Sequence, residues 1–263
     1  MIIDMHTHCF PDNMAARAIE VLTGRAKIPA YTDGTASDLR KSMDMAGIDL
    51  SVICQIATTP KQTTTINNDR DRLSAESGFY VLGTVHPDYS EWKEAVDGLA
   101  GKGVRGIKMH PEYQGFYVND RRMYPLYERV FSHGMFILFH SGYDAGYKNP
   151  DHCTPDRLAE VLGDFPGADI IAAHMGCYIN RDEVEKHLIG RDVYFDTSMS
   201  LPTMEKEYAK DVITRHGCEK VLFGSDSPWD DQKKHVEYIR SLGLESHAET
   251  AILGGNARKL LLI

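Results

Sequence analysis

The stretch "MFILFHSG", residues 135–142, runs five apolar residues straight into a histidine. An unbroken apolar run of this length, with no polar alternation, suits a strand buried on both faces. The same reading applied along the chain gives strands over residues 2–5, 50–56, 79–85, 104–109, 135–139, 169–173, 193–196 and 220–224. Between them lie segments with helical spacing. "SDLRKSMDMAG" (37–47) has Ser37 as its cap and Gly47 as its stop. "YPLYERVFSHG" (124–134) has Pro125 near its start and Gly134 at its end. "TPDRLAEVLGDFPG" (154–167) and "DDQKKHVEYIRSLG" (230–243) read the same way. Strand followed by helix, repeated eight times, points to parallel pairing through right-handed crossovers.

At 263 residues that pattern predicts an α/β protein, a closed (β/α)8 TIM barrel forming a single domain over 1–263. The alternative, an open doubly wound sheet, calls for a fingerprint such as GxGxxG, and none follows the first strand. Residues 23–33 and 113–122 read as longer loops after the first and fourth strands. In a barrel such loops gather at the C-terminal mouth, where substrates bind. The closing "ILGGNARKLL" (252–261) reads as a Gly-Gly break and a short final helix.

Composition narrows the function. The net charge is −9 and no Lys/Arg run forms a stripe, which argues against nucleic acid. No apolar run approaches the roughly 20 residues that span a bilayer, and "MIIDM" is too short for a signal peptide. Five cysteines, odd in number and without a CxxC, are no disulfide framework. A reducing cytoplasm is the expected setting. The partners to expect are a small-molecule substrate and, for a homodimer, a second copy of the chain.

Of twelve histidines, six fall at or just after a strand end: His6, His8, His86, His110, His140 and His174. Asp226, after "LFGS", stands at the equivalent level of the last strand. A barrel brings these ends to one rim, and convergent imidazoles with a carboxylate suit a divalent transition metal. His6 and His8, two apart on a strand, point the same way and read as two ligands. His174 lines the mouth, as ligand or as acid/base. His86 and His110 each precede a proline, which restricts them to extended geometry; they either end strands or touch substrate or metal. Lys108 shares parity with His110. It is placed to bind a substrate anion, to bridge two metals as a carboxylated lysine, or to pair with a barrel carboxylate.

Taken together, "DMHTH", "FILFHSG", "IIAAHMG", "LFGSDSPW" and "GGNARKLLL" resemble the amidohydrolase superfamily. The likeness is to its amidohydrolase-2 branch, which includes aminocarboxymuconate-semialdehyde decarboxylase-like enzymes, and it runs over nearly the whole chain. The resemblance implies a distorted TIM barrel with one divalent metal, usually zinc; Mn2+ is an alternative. It implies His6, His8, His140 and Asp226 as ligands, and His174 as the group that polarises or deprotonates water. In "GIKMHPEYQGF" the chain departs from the decarboxylase subgroup, which usually has neither Lys108 nor His110, and its insertion after the first strand is short. Both departures count against decarboxylation and leave room for a second metal.

The function expected is therefore a metal-dependent hydrolase. A metal-activated water would attack a carbonyl-type carbon, at a C–N or C–O bond of a small, carboxylated substrate, with His174 and Asp226 moving the proton. The alternatives are a non-oxidative decarboxylase or hydratase of a small aromatic or dicarboxylic acid, and a metal-binding barrel without catalysis. Tyr113, Gln114, Phe116 and Tyr178 are candidate substrate contacts. Trp229 is a candidate pocket wall, and Arg181 either pairs a substrate carboxylate or is solvated.

Overall fold

The computed structural model describes residues 1–147 and 150–263. Its strands are β1 (Ile3–Thr7), β2 (Leu50–Ile53), β3 (Phe79–Val81), β4 (Gly83–Thr84), β5 (Gly106–Met109), β6 (Phe136–Phe139), β7 (Ile170–Ala172), β8 (Tyr194–Asp196) and β9 (Val221–Leu222). All eight expected strands are found, the third split at Leu82 into β3 and β4. Most are shorter than their apolar runs, trimmed by one to three residues at the start, the end or both, while β1 runs two residues further than expected.

Every ladder is parallel. The strands form two sheets, β1-β2-β3 and β4 through β9 in sequence order. Leu82, between β3 and β4, donates its amide to the Ile53 carbonyl of β2 at 3.1 Å, so the chain itself runs from the first sheet into the second. The seam between first and last strands is held by Met5 N to Phe223 O at 2.8 Å, Asp226 N to His6 O at 2.8 Å and His8 N to Ser227 O at 2.6 Å. The result is a ring of strands with two weak joints, a distorted barrel.

The helices are α1 (Asp12–Ala26), α2 (Ala36–Ala46), α3 (Gln62–Ser74), α4 (Trp92–Gly101), α5 (Pro111–Gln114), α6 (Tyr124–Ser132), α7 (Pro155–Asp164), α8 (Arg181–His187), α9 (Lys206–His216), α10 (Gln232–Ser241), α11 (Ser246–Thr250) and α12 (Asn256–Leu261). Three local expectations need correction. The cap of α2 is Thr35, whose hydroxyl accepts from Asp38 N, rather than Ser37. Residues 23–26 of the expected first loop continue α1, and the second loop contains α5 and a 3-10 turn, Arg121–Met123. Gly254 and Gly255 do not break the last helix; a π turn, Ala251–Gly255, carries the chain into α12. No helix among the described residues is long and apolar enough to cross a membrane.

Side-chain alternation divides the core. Phe136 and Leu138 join Ile3, Met5, Val52, Ile171 and Leu222 in one buried cluster, while Ile137 and Phe139 pack with the helices in the other. Each such buried side chain contributes roughly 1.5–3 kcal/mol. Leu260 and Leu261 of α12 join the first cluster. Arg105, just before β5, donates to the Leu260 carbonyl at 3.5 Å, so α12 covers the strand starts. The strand ends, where the histidines gather, are left to the loops.

Candidate metal centre

β1 does not alternate evenly. Asp4 turns outward, its carboxylate taking Gln232 of α10 at 2.8 Å and the Ser225 amide at 3.0 Å. The register then shifts between Asp4 and Thr7. Irregularities of this kind re-aim side chains beside functional sites. His6 consequently faces inward with His8, their ring centroids 5.2 Å apart. Across the seam, Asp226 adopts a left-handed backbone, φ 69°, and its Oδ1 lies 3.0 Å from His8 Nε2 and 3.4 Å from His6 Nε2. His6, His8 and Asp226 thus offer ligand atoms within 4.8 Å of one another. Gly224 makes room for this: a Cβ there would sit 3.1 Å from the His6 Cβ.

Behind His6 stands a residue that sequence reasoning missed. Asp196, at the end of β8 and fully buried, places Oδ2 2.9 Å from His6 Nδ1. Its Oδ1 accepts from the amides of His174 and Ser198, at 3.0 and 3.1 Å, and from the Ser198 hydroxyl. The Ser198 oxygen in turn lies 3.1 Å from His6 Nδ1 and 2.9 Å from His174 Nδ1. The signal was present: the seventh strand ends in a carboxylate where most of the others end in histidine.

These contacts fix where the imidazole protons sit. Asp196 can only accept, so His6 carries its proton on Nδ1 and presents Nε2 as a lone pair. The Ser198 carbonyl, 3.2 Å from His174 Nδ1, likewise holds a proton there. His174 Nε2 is then an acceptor, and His140 Nδ1, 3.0 Å away, must donate to it. His140 Nε2 is left as a buried lone pair without a partner. Both nitrogens of His174 are therefore engaged, Nδ1 with Ser198 and Nε2 with His140. Three imidazoles and a carboxylate, with the Nε2 lone pair of His6 facing Lys108 Nζ and that of His140 unpartnered, are the donor chemistry of a divalent transition-metal site.

Electrostatics keep the set in ligand form. Burial, with the Lys108 ammonium beside it, pushes His6 down to about 4. Burial and the neighbouring imidazoles push His140 well below its ordinary value, and burial lowers His174. Burial alone would raise Asp226 and Asp196, but His6 and the bonds to His8 and Ser198 hold both well below the usual carboxylate range. Lys108 is buried, its Nζ 2.9 Å from His6 Nε2 rather than on a carboxylate, and burial lowers its pKa.

The remaining candidates are placed as follows. His140 is apart from the His6, His8 and Asp226 group and stacks on His110, centroids 4.1 Å apart. His110 lies 3.2 Å from Asp144 and 3.4 Å from Glu112; burial opposes its protonation, but these two carboxylates prevail and raise its pKa. Neither Asp144 nor Glu112 stands at a strand end, so nothing in the sequence marked them. Tyr113 lies over His110 at 4.2 Å, and Tyr178 is 6.1 Å from His174. Trp229 is half-buried, its amide donating to the Asp226 carbonyl at 2.8 Å. Gln114 is buried and donates to the carbonyls of Ala57 and Val85, and Phe116 is in the core. His86 lies apart, its Nδ1 accepting the Asp88 amide at 3.1 Å. Arg181 donates to Thr203 and lies over Tyr208, away from the cluster.

Known proteins share this architecture. An uncharacterised TIM-barrel protein, Bb4693 from Bordetella bronchiseptica, superposes with a TM-score of 0.75 at 19% identity, over 99% of this chain and 98% of its own. 5-Carboxyvanillate decarboxylase LigW from Sphingomonas paucimobilis gives 0.71 at 15%, over 100% and 99%. A dihydroxybenzoic acid decarboxylase from Polaromonas sp. JS666, solved with manganese and the inhibitor 2-nitroresorcinol, gives 0.74 at 15%, over 99% and 96%. At these identities the likeness is one of fold. No curated protein sequence matches the chain. The family model described as Amidohydrolase, in its second branch, matches residues 3–263. The chain belongs to this amidohydrolase family, and with it to a family of metal-dependent enzymes.

Proposed function

We propose that this chain is a divalent-metal enzyme that removes CO2 from a small aromatic carboxylic acid. The observation carrying this reading is the convergence of His6, His8 and Asp226 within 4.8 Å; Tyr113, Tyr178 and Trp229, half-buried on the loops after the strands, supply aromatic side chains nearby. The decarboxylases among its structural neighbours support it. Hydrolysis, the first expectation from sequence, becomes the second reading. What favours it is Lys108, a departure from the decarboxylase subgroup, buried against His6.

His6, His8 and Asp226 would hold the cation, with the bare Nε2 of His140 as the fourth donor. Zn2+ and Mn2+ both suit that set. When bound, the cation polarises a substrate oxygen and draws off electron density. The protein does the rest. Asp196 and Ser198 fix the imidazoles, and the aromatic rim stacks on the substrate ring and excludes water. Asp226, ionised at rest, takes the carboxyl proton of the substrate acid as it binds. The bond from ring carbon to carboxylate breaks, CO2 leaves, the electron pair of that bond stays on the ring carbon, and Asp226 returns the proton to that carbon, which restores the ionised carboxylate. All five cysteines are unpaired, which supports a reducing cytoplasm as the setting.

The test is to incubate protein loaded with Zn2+ or Mn2+ with 2,6-dihydroxybenzoate and 5-carboxyvanillate, and separately with N-acyl amino acids and lactones. Release of CO2 with the ring proton appearing in the product is the expected result. Turnover of the amides or lactones without CO2 would replace this reading with hydrolysis.

A further inference from the structure

Lys108 stands on β5, in register with Thr84 of β4 and Leu138 of β6. Register partners on adjacent strands face the same side of a sheet. Leu138 belongs to the inner core, so Lys108 points into the barrel. It is 1% exposed. Lysines are almost never buried to that degree unless they are paired. Yet among the described residues no carboxylate lies within 4.0 Å of Nζ, which meets His6 Nε2 at 2.9 Å instead.

The acids of the metal centre are committed elsewhere. Asp196 engages His6 through one oxygen, and the amides of His174 and Ser198 through the other. Asp226 Oδ1 faces His8 and His6. A cation held by His6, His8 and Asp226 takes the very lone pair that Lys108 now faces, and Lys108 loses its acceptor. Its backbone is pinned by the strands on both sides, so the displaced Nζ stays beside the centre. A buried ammonium with neither acceptor nor counter-ion is costly. The substrate acid supplies both, because its carboxylate is bare once the carboxyl proton has passed to Asp226.

We infer that Lys108 selects for an anionic substrate, pairing with the carboxylate of the aromatic acid beside the metal centre. This assignment rests on the reading above for the metal centre and the substrate class, but not for the bond that breaks. Negative charge leaves the carboxylate as CO2 forms, so Lys108 holds the bound acid at least as tightly as the transition state. Such an interaction lowers KM without raising kcat.

The experiment titrates the zinc-loaded full chain with benzoate and with its neutral amide, benzamide, by isothermal calorimetry. Lys108→Met and Lys108→Gln are compared with wild type, after circular dichroism and elemental analysis confirm the fold and the bound zinc. Wild type should prefer benzoate. A lost charge-assisted hydrogen bond should weaken benzoate about 10–100-fold in both variants and leave benzamide unchanged. With an acid that is turned over, KM should rise by the same factor and kcat should not fall. Benzamide bound by wild type as tightly as benzoate, no benzoate binding by wild type, or benzoate affinity unchanged in either variant overturns the assignment. If benzoate binding depends on Lys108 but no acid releases CO2, decarboxylation fails and the role of Lys108 stands.

Discussion

Asp196 Oδ2 lies 2.9 Å from His6 Nδ1, and neither side chain is more than 1% exposed. A carboxylate at that distance fixes the tautomer of a metal-binding imidazole and raises its basicity, and removing such a partner typically weakens metal binding 10–100-fold. Asp196→Asn should therefore lower Zn2+ affinity by about that factor, measured by competition with a chromogenic chelator. Asn can accept from Ser198 and the His174 amide but supplies no charge to His6. An affinity equal to wild type would show that Asp196 is structural only.

Gly142 adopts φ 83° in the turn after His140, and a Cβ there would sit 2.3 Å from Cys177 Sγ and 2.8 Å from Tyr178 N. The backbone contact cannot relax as a side chain can. Gly142→Ala should cost about 1–3 kcal/mol and lower Tm by several degrees, roughly 2–4 °C for each kcal/mol. Differential scanning calorimetry checks this; an unchanged Tm would mean the loop moves freely.

His216, on the far side of the barrel, is 5% exposed and stacks on Phe195 at 3.8 Å. Its Nε2 donates to Val193 O at 2.9 Å and its Nδ1 accepts from Gly190 N at 3.3 Å. Both nitrogens are satisfied in the neutral form only, and burial pushes the pKa down to about 4. The unfolded chain binds this proton first, near pH 6.5, so the stabilisation is complete above that pH and drains as the pH falls toward 4. The loss approaches about 1.4 kcal/mol per pH unit within that window. His216→Gln should be less stable than wild type at pH 7.5, with the gap narrowing by pH 4.5. A gap independent of pH in urea titrations would contradict this.

The fold was legible because strands buried on both faces leave unbroken apolar runs, as 135–139 and 220–224 show, and because crossovers at this length close a ring. His6, His8 and Asp226 were legible as strand ends. Tertiary interactions hid the rest. Strict alternation does not reveal that a register shift turns His6 inward while Asp4 faces α10. Asp196 was overlooked because one carboxylate at a strand end looks like a stop. Asp144 and Glu112 lie in loop and short helix, where only folded geometry brings them to His110. Thr35 displaced Ser37 as the cap of α2 because Asp33 fixes its hydroxyl and amide, at 2.7 and 2.8 Å.

If His6, His8 and Asp226 share one cation, diffraction from crystals grown with Zn2+, measured on both sides of the zinc absorption edge, will reveal it. An anomalous peak is expected within bonding distance of His6 Nε2, His8 Nε2 and Asp226 Oδ1, with Lys108 Nζ moved away from His6. A zinc-free centre with Lys108 still seated on His6 Nε2, in crystals soaked to saturation, would rule the shared cation out.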